Sequence, residues 1–192
     1  MVAPSANRSG HLSPTTGQHV LADLRGRIDL IIDGGATPVG LESTIVACLG
    51  EPVLLRSGGA PRAEIERVLG SALAEHSPDE VVADAANPMA PGQLASHYAP
   101  RARLRLQARS VHAGEALLAF GPALPPGAEC AARVLNLSAR GDPIEAAAQL
   151  FSHLRSLDAD QGVTMIAVMP VPDEGLGEAI NDRLRRAAAP RG

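Results

Sequence analysis

Four short stretches carry the residue types needed for chemistry on a charged small molecule. The first is Ala3-Pro-Ser-Ala-Asn7, which runs on through Arg8-Ser9-Gly10 to Ser13-Pro14-Thr15. Small hydroxyl and amide side chains let a backbone approach a ligand and supply donors for phosphate oxygens. Ser13 before Pro14 also has the form of a helix start, an N-cap hydroxyl followed by proline at the first helical position. Free N–H groups and the helix dipole there attract an anion. A capped helix behind a polar loop has the same spacing. The second stretch runs from Gly34-Gly35 through Pro38-Val39-Gly40-Leu41-Glu42-Ser43-Thr44 to Ile45-Val46. Glycines would let backbone amides face a small substrate; a β-turn followed by a strand is the plainer alternative. It is no P-loop, because GxxxxGK[ST] is absent and the chain has no lysine. The third is Leu54-Leu55-Arg56-Ser57-Gly58-Gly59, where Arg56 leaves a strand end beside two glycines. A planar, permanently charged guanidinium suits a phosphate, or simply a surface. The fourth is Pro91-Gly92-Gln93-Leu94-Ala95-Ser96-His97-Tyr98-Ala99-Pro100, which holds the only tyrosine. A His-Tyr pair between prolines invites a functional reading. His97 has no second ligand at metal spacing.

Other chemistries find no support. Ser-His-Asp and Cys-His arrangements are not legible, and Asp142, Glu145, Asp158 and Asp160 read as solvated faces rather than an acid–base pair. The remaining histidines, His11, His19, His76, His112 and His153, are isolated and read as surface residues. Cys48 and Cys130 stand far apart and read as buried thiols in a reducing compartment. Aromatics are 2% of the chain, which argues against nucleic-acid binding by base stacking, and the net charge of −4 makes the whole chain no magnet for RNA. No apolar run approaches the roughly 18 residues of a membrane span. The N-terminus has no signal-peptide pattern, so the cytoplasm is the default.

The elements that must position these residues fall into two α/β groups. Residues 1–82 alternate short apolar runs with Gly and Pro. They predict a helix from Ser13 with Val20, Leu21 and Leu24 on one face, ended by Gly26. A buried strand follows at 28–32, stopped by Asp33-Gly34-Gly35, then strands at 44–49 and 53–56 and a helix at 61–69. Residues 83–101 read as a Pro-rich linker. Residues 102–192 predict strands at 103–107, 116–120, 132–137 and 163–169 and helices at 143–157 and 176–188. That alternation suggests a small doubly wound, Rossmann-like α/β unit.

Taken in order, the motifs resemble one family. Ala-Pro-Ser-Ala-Asn with Ser-Pro-Thr, Pro-Val-Gly-Leu-Glu-Ser-Thr-Ile-Val and Leu-Leu-Arg-x-Gly-Gly are similar to the second half of the YrdC-like domain. Pro-Gly-x-x-x-x-His-Tyr-Ala-Pro is similar to the linker of the two-domain Sua5 form. Gly175 to Ala188 resembles the end of its C-terminal domain. The family is that of threonylcarbamoyl-AMP synthases. The resemblance implies an enzyme that joins L-threonine, bicarbonate and ATP into L-threonylcarbamoyl-AMP and releases pyrophosphate, with Mg2+ carried on the phosphates. The product serves the threonylcarbamoyl (t6A) modification of tRNA. By position, Ser5, Asn7, Ser13, Arg56 and Tyr98 match ATP contacts, with Tyr98 folding over the nucleotide. Ala3 and Ser43 match threonine contacts. No catalytic side chain and no protein metal site is implied.

The family's Lys-Arg motif, which grips the triphosphate in the N-terminal half, has no counterpart here. Ser57 and Gln93 replace a common Pro and Met. The expectation is an incomplete YrdC-like domain, followed by the linker and the whole second domain, with weak or no activity alone. Its partners would be a separately encoded N-terminal half, the t6A transferase proteins, or tRNA or double-stranded RNA; a membrane is not expected. The alternative is a non-catalytic remnant whose second domain binds a partner or RNA. The carbamoyl-transfer protein of hydrogenase maturation shares a YrdC-like domain but not the linker or the ending.

Overall fold

The computed structural model describes residues 3–75 and 98–190. Most of the expected linker, 83–97 with His97, lies outside the described residues, as does His76. Two sheets organise the rest. The first contains β1 (Ile45–Ala47), β2 (Val53–Arg56) and β3 (Ala74–Glu75), in that order. β1 and β2 are antiparallel, and β3 joins β2 in parallel. Helices α1 (Gly17–Leu24) and α2 (Arg62–Leu69) accompany it.

The second sheet is parallel throughout, with β4 (Arg103–Arg105), β5 (Ala116–Ala119), β6 (Arg133–Asn136) and β7 (Met165–Val168) in the order β4-β7-β5-β6. α3 (Pro143–Asp158) and α4 (Leu176–Ala188) follow β6 and β7. Asp142 caps α3 by accepting from Ile144 and Glu145 N–H, and Pro143 opens the helix. Its stripe of Ala146, Ala147, Leu150, Phe151, Leu154 and Leu157 is buried at helical spacing. Alternation along β5 sends Ala116 and Leu118 into the helix-side core and Leu117 and Ala119 into a smaller core on the opposite face. α3 and α4 pack on each other, so both helices share one face. The other face is closed by Ala108, Val111 and Ala128, from the β4–β5 connection and a 3-10 turn at Ala128–Cys130.

A carboxylate fixes that closing segment. Glu115 receives Arg105 at 2.9 and 2.5 Å and the His112 N–H at 2.9 Å. The Arg105 bonds first, then the His112 N–H, outweigh burial and hold Glu115 at about 2 instead of the usual 4.5. A depressed carboxylate adds stability above its unfolded value that is lost as pH falls through the folded one. Wild type is therefore expected to lose stability between about 4.5 and about 2 through this group, and Glu115→Gln to flatten that limb. Because Arg105 is 31% exposed, solvent screening keeps the contribution to about 1 kcal/mol. Urea unfolding across this pH range measures it.

Several local expectations change. α1 begins at Thr16, whose hydroxyl accepts from His19 N–H, and not at Ser13. Ser13 turns its hydroxyl to Glu42 instead, so it sits at no helix terminus and gains no dipole. Residues 28–32 form no strand, and Leu30 and Ile32 are 76% and 89% exposed. A strand needs a neighbour for its N–H and C=O groups, and among the described residues none lies beside this segment. The Asp33 turn does form, with Gly35 N–H donating to Asp33 Oδ1 at 2.9 Å. Cys48 and Cys130 are exposed rather than buried, one just past β1 and one in the 3-10 turn. His19 and His153 are half-buried, His153 with its Nε2 3.2 Å from the Asn136 carbonyl oxygen.

Candidate active site

The four sequence motifs converge only in part. Ser13, Ser43, Arg56 and Tyr98 meet around one carboxylate that none of the motif arguments singled out. Glu42 lies between Gly40 and β1. Its Oε1 accepts from Ser13 Oγ at 2.5 Å and its Oε2 from Arg183 Nε at 2.9 Å. Arg183 comes from α4 and is fully buried. Its Nη1 donates to Asp182 at 2.6 Å. Its guanidinium carbon lies 5.2 Å from the centre of the Tyr98 ring, a cation–π distance. Tyr98 also tilts against Phe151, with ring centres 5.4 Å apart.

One residue along from Glu42, Ser43 joins the cluster to β2. Arg56 donates through Nε and Nη2 to the Ser43 carbonyl at 3.2 and 2.8 Å, and through Nη2 to Ser43 Oγ at 3.4 Å. Arg56 is buried, whereas Ser43 is exposed. The glycines after Arg56 have a steric reason. A Cβ on Gly58 would sit 2.3 Å from the Glu42 carbonyl oxygen, and Gly59 N–H donates to that same oxygen at 2.8 Å. Gly40 does the same between domains: its φ is +72°, and a Cβ would meet Ala147 O of α3 at 2.5 Å.

Ala3, Ser5 and Asn7 lie on the loop ahead of this cluster. Ala3 and Ser5 are exposed; Asn7 is half-buried and folds the loop by donating to the His11 and Arg8 carbonyls at 3.0 and 3.1 Å. The loop is tied to the second domain by Arg155 of α3. It pairs with Asp23 at 2.6 Å and donates to the carbonyls of Leu12 and Ser13. Ala99 N–H donates to Gly10 O at 3.1 Å, which closes the loop against the segment carrying Tyr98.

The protonation states follow from these contacts. Burial would raise the Glu42 carboxyl, but the charge of Arg183 and the hydrogen bonds from Ser13 and Arg183 hold it below its usual value. It is a carboxylate at neutral pH. Burial keeps the Tyr98 phenol above its ordinary value, with Arg183 and Arg56 pulling the other way. The hydroxyl of Ser13 gives its proton to Glu42, so toward a ligand it can only accept. That suits a ribose O–H or a base N–H better than a phosphate oxygen.

Glu42, Asp182 and Arg183 were missed from sequence. A signal for Arg183 exists. Leu176, Ala179, Ile180, Leu184 and Ala187 form the buried stripe of α4, and Arg183 falls on that stripe. A cation at a core position requires a carboxylate elsewhere. Sequence alone does not say which of the acidic residues supplies it.

Comparison with known proteins runs along the whole chain. The family described as "Threonylcarbamoyl-AMP synthase, C-terminal domain" matches residues 60–189, and the Sua5/YciO/YrdC family, described as "Telomere recombination", matches residues 1–58. Threonylcarbamoyl-AMP synthase of Bacillus subtilis is 37% identical over 203 residues, covering 100% of this chain and 58% of the relative. The Pyrococcus abyssi enzyme is 38% identical with the same coverages. The Schizosaccharomyces pombe enzyme is 35% identical and covered over 52% of its length. The crystal structure of P. abyssi Sua5 complexed with L-threonine superposes with a TM-score of 0.80 at 34% identity, covering 97% of this chain and 57% of that one. The chain thus spans little more than half the length of the relatives it matches. Within that span the likeness continues from the first loop through α4, and the chain belongs to the threonylcarbamoyl-AMP synthase family.

Proposed function

We propose that this chain supplies the nucleotide-facing and part of the threonine-facing surface of an L-threonylcarbamoyl-AMP synthase. The reaction joins L-threonine, bicarbonate and ATP and releases pyrophosphate. What carries the reading is the 37% identity with a threonylcarbamoyl-AMP synthase over the full length of this chain. Ser5, Asn7, Ser13, Arg56 and Tyr98 are assigned to ATP, and Ala3 and Ser43 to threonine. Arg56 neutralises phosphate charge. Ser13 accepts from the nucleoside. Threonine's amine captures bicarbonate-derived carbon as a carbamate, whose oxygen attacks the α-phosphorus. Such a transfer depends mainly on positioning and charge neutralisation. Mg2+ travels on the phosphates. The assigned side chains are hydroxyl, amide and guanidinium groups suited to nucleotide oxygens, and Glu42, the neighbouring carboxylate, is already held by Ser13 and Arg183.

The test uses a chimera in which the N-terminal half that the family resemblance implies, taken from the B. subtilis relative, is fused ahead of residue 1. Pyrophosphate release that requires ATP, threonine and bicarbonate together is expected. Arg56→Ala is expected to lower it roughly 100-fold. Undiminished turnover by Arg56→Ala would remove that residue from the site.

A further inference from the structure

Beside Arg155 of α3, the second domain reaches the proposed site through a buried cation on α4. Arg183 is 0% exposed and is anchored on α4, yet its partners lie in three different parts of the chain. Nε bonds Glu42 of the loop before β1, which in turn holds Ser13. Nη1 bonds Asp182 of its own helix. The guanidinium face covers Tyr98. Among the described residues, Nη2 is buried without a hydrogen-bond partner. Tyr98 itself has φ +60°, a left-handed conformation that a non-glycine residue keeps only when its surroundings enforce it. Among the described residues, the Tyr98 ring packs against both Arg183 and Phe151.

We propose that Arg183 is a positioning residue that seats Tyr98 and the Ser13–Glu42 loop together, so that the second domain sets the geometry of the nucleotide-facing surface. The consequence for ATP rests on the proposed function; the seating of Tyr98 does not. Two readouts keep them apart. The chain has one tyrosine and no tryptophan, so its intrinsic fluorescence reports Tyr98 alone. In the full chain, acrylamide quenching of that emission is expected to rise severalfold in Arg183→Met. Arg183→Lys keeps the charge beside Glu42 but loses the planar face. It is expected to fold, with a lowered Tm, and to show raised quenching. This variant decides the matter if Arg183→Met does not fold. In the chimera, Arg183→Lys is expected to raise the KM for ATP by roughly 10- to 100-fold while the KM for threonine changes little.

Wild-type quenching in a folded Arg183→Lys chain overturns the seating. Raised quenching with an unchanged KM for ATP overturns the link to the nucleotide. A chimera with Arg183 intact that releases no pyrophosphate counts against the proposed function, and quenching then still decides whether Arg183 seats Tyr98.

Discussion

Glu42→Ala is expected to lower the unfolding free energy by about 3 kcal/mol, the lower end of what removing one partner of a buried ion pair costs. The cost comes from what is left behind. Arg183 stays buried with Asp182 as its remaining carboxylate, and Ser13 loses its acceptor. Glu42→Gln keeps an oxygen for Ser13 but removes the charge, so an intermediate loss is expected. The folded-state value of Glu42 is depressed, so its contribution is present above the ordinary carboxylate range and disappears as pH falls through the folded value. The gap between wild type and Glu42→Ala in urea unfolding should therefore narrow in acid. A neutral-pH difference within about 0.5 kcal/mol, as for an ordinary surface change, contradicts the buried-pair account.

The second large effect concerns the helix that carries Arg183. Gly177 stands in the first turn of α4, and a Cβ there would lie 1.8 Å from the Pro172 carbonyl oxygen. Alanine favours a helix over glycine by about 1 kcal/mol, so propensity alone predicts stabilisation. The clash is with backbone rather than a flexible side-chain tip, and overpacking of this kind costs about 3 kcal/mol. The clash wins by about 2 kcal/mol, and Gly177→Ala is expected to lower Tm by roughly 4–8 °C. Asn181 ties α4 to the same preceding segment through Val171 O at 3.0 Å and Asp173 at 2.9 Å, so the start of the helix has little room to swing away. A Tm equal to wild type would mean that the segment around Pro172 yields freely.

The second domain was far more legible in the sequence than the first. Its strands and helices are complete periodic units. Asp142-Pro143 marks the start of α3, and the apolar stripe of α4 runs from Leu176 to Ala187. Local pattern and tertiary burial agree there. In the first domain they separate. Ile28 to Ile32 has a strand's composition, but composition does not provide a neighbouring strand, and Leu30 and Ile32 face solvent. β3, two residues long at Ala74–Glu75, carries too little pattern to be seen. Ser13 misled for a different reason. Its spacing to Pro14 fits a cap, yet the competing acceptor, Glu42, is 29 residues away in sequence. The first three motifs fall on loops and strand ends. They did not identify the polar contacts that hold those loops together, because Glu42, Arg183 and Tyr98 are joined by the packing of two domains and not by spacing.

The most direct measurement follows the carbon. The chimera carrying residues 1–192 is incubated with ATP, L-threonine and 13C-bicarbonate, and the adenylate product is analysed by mass spectrometry. The account predicts threonylcarbamoyl-AMP bearing one labelled carbon, strongly reduced in Arg56→Ala and absent without threonine. Unlabelled adenylate, or labelled product formed equally well by Arg56→Ala, would contradict it.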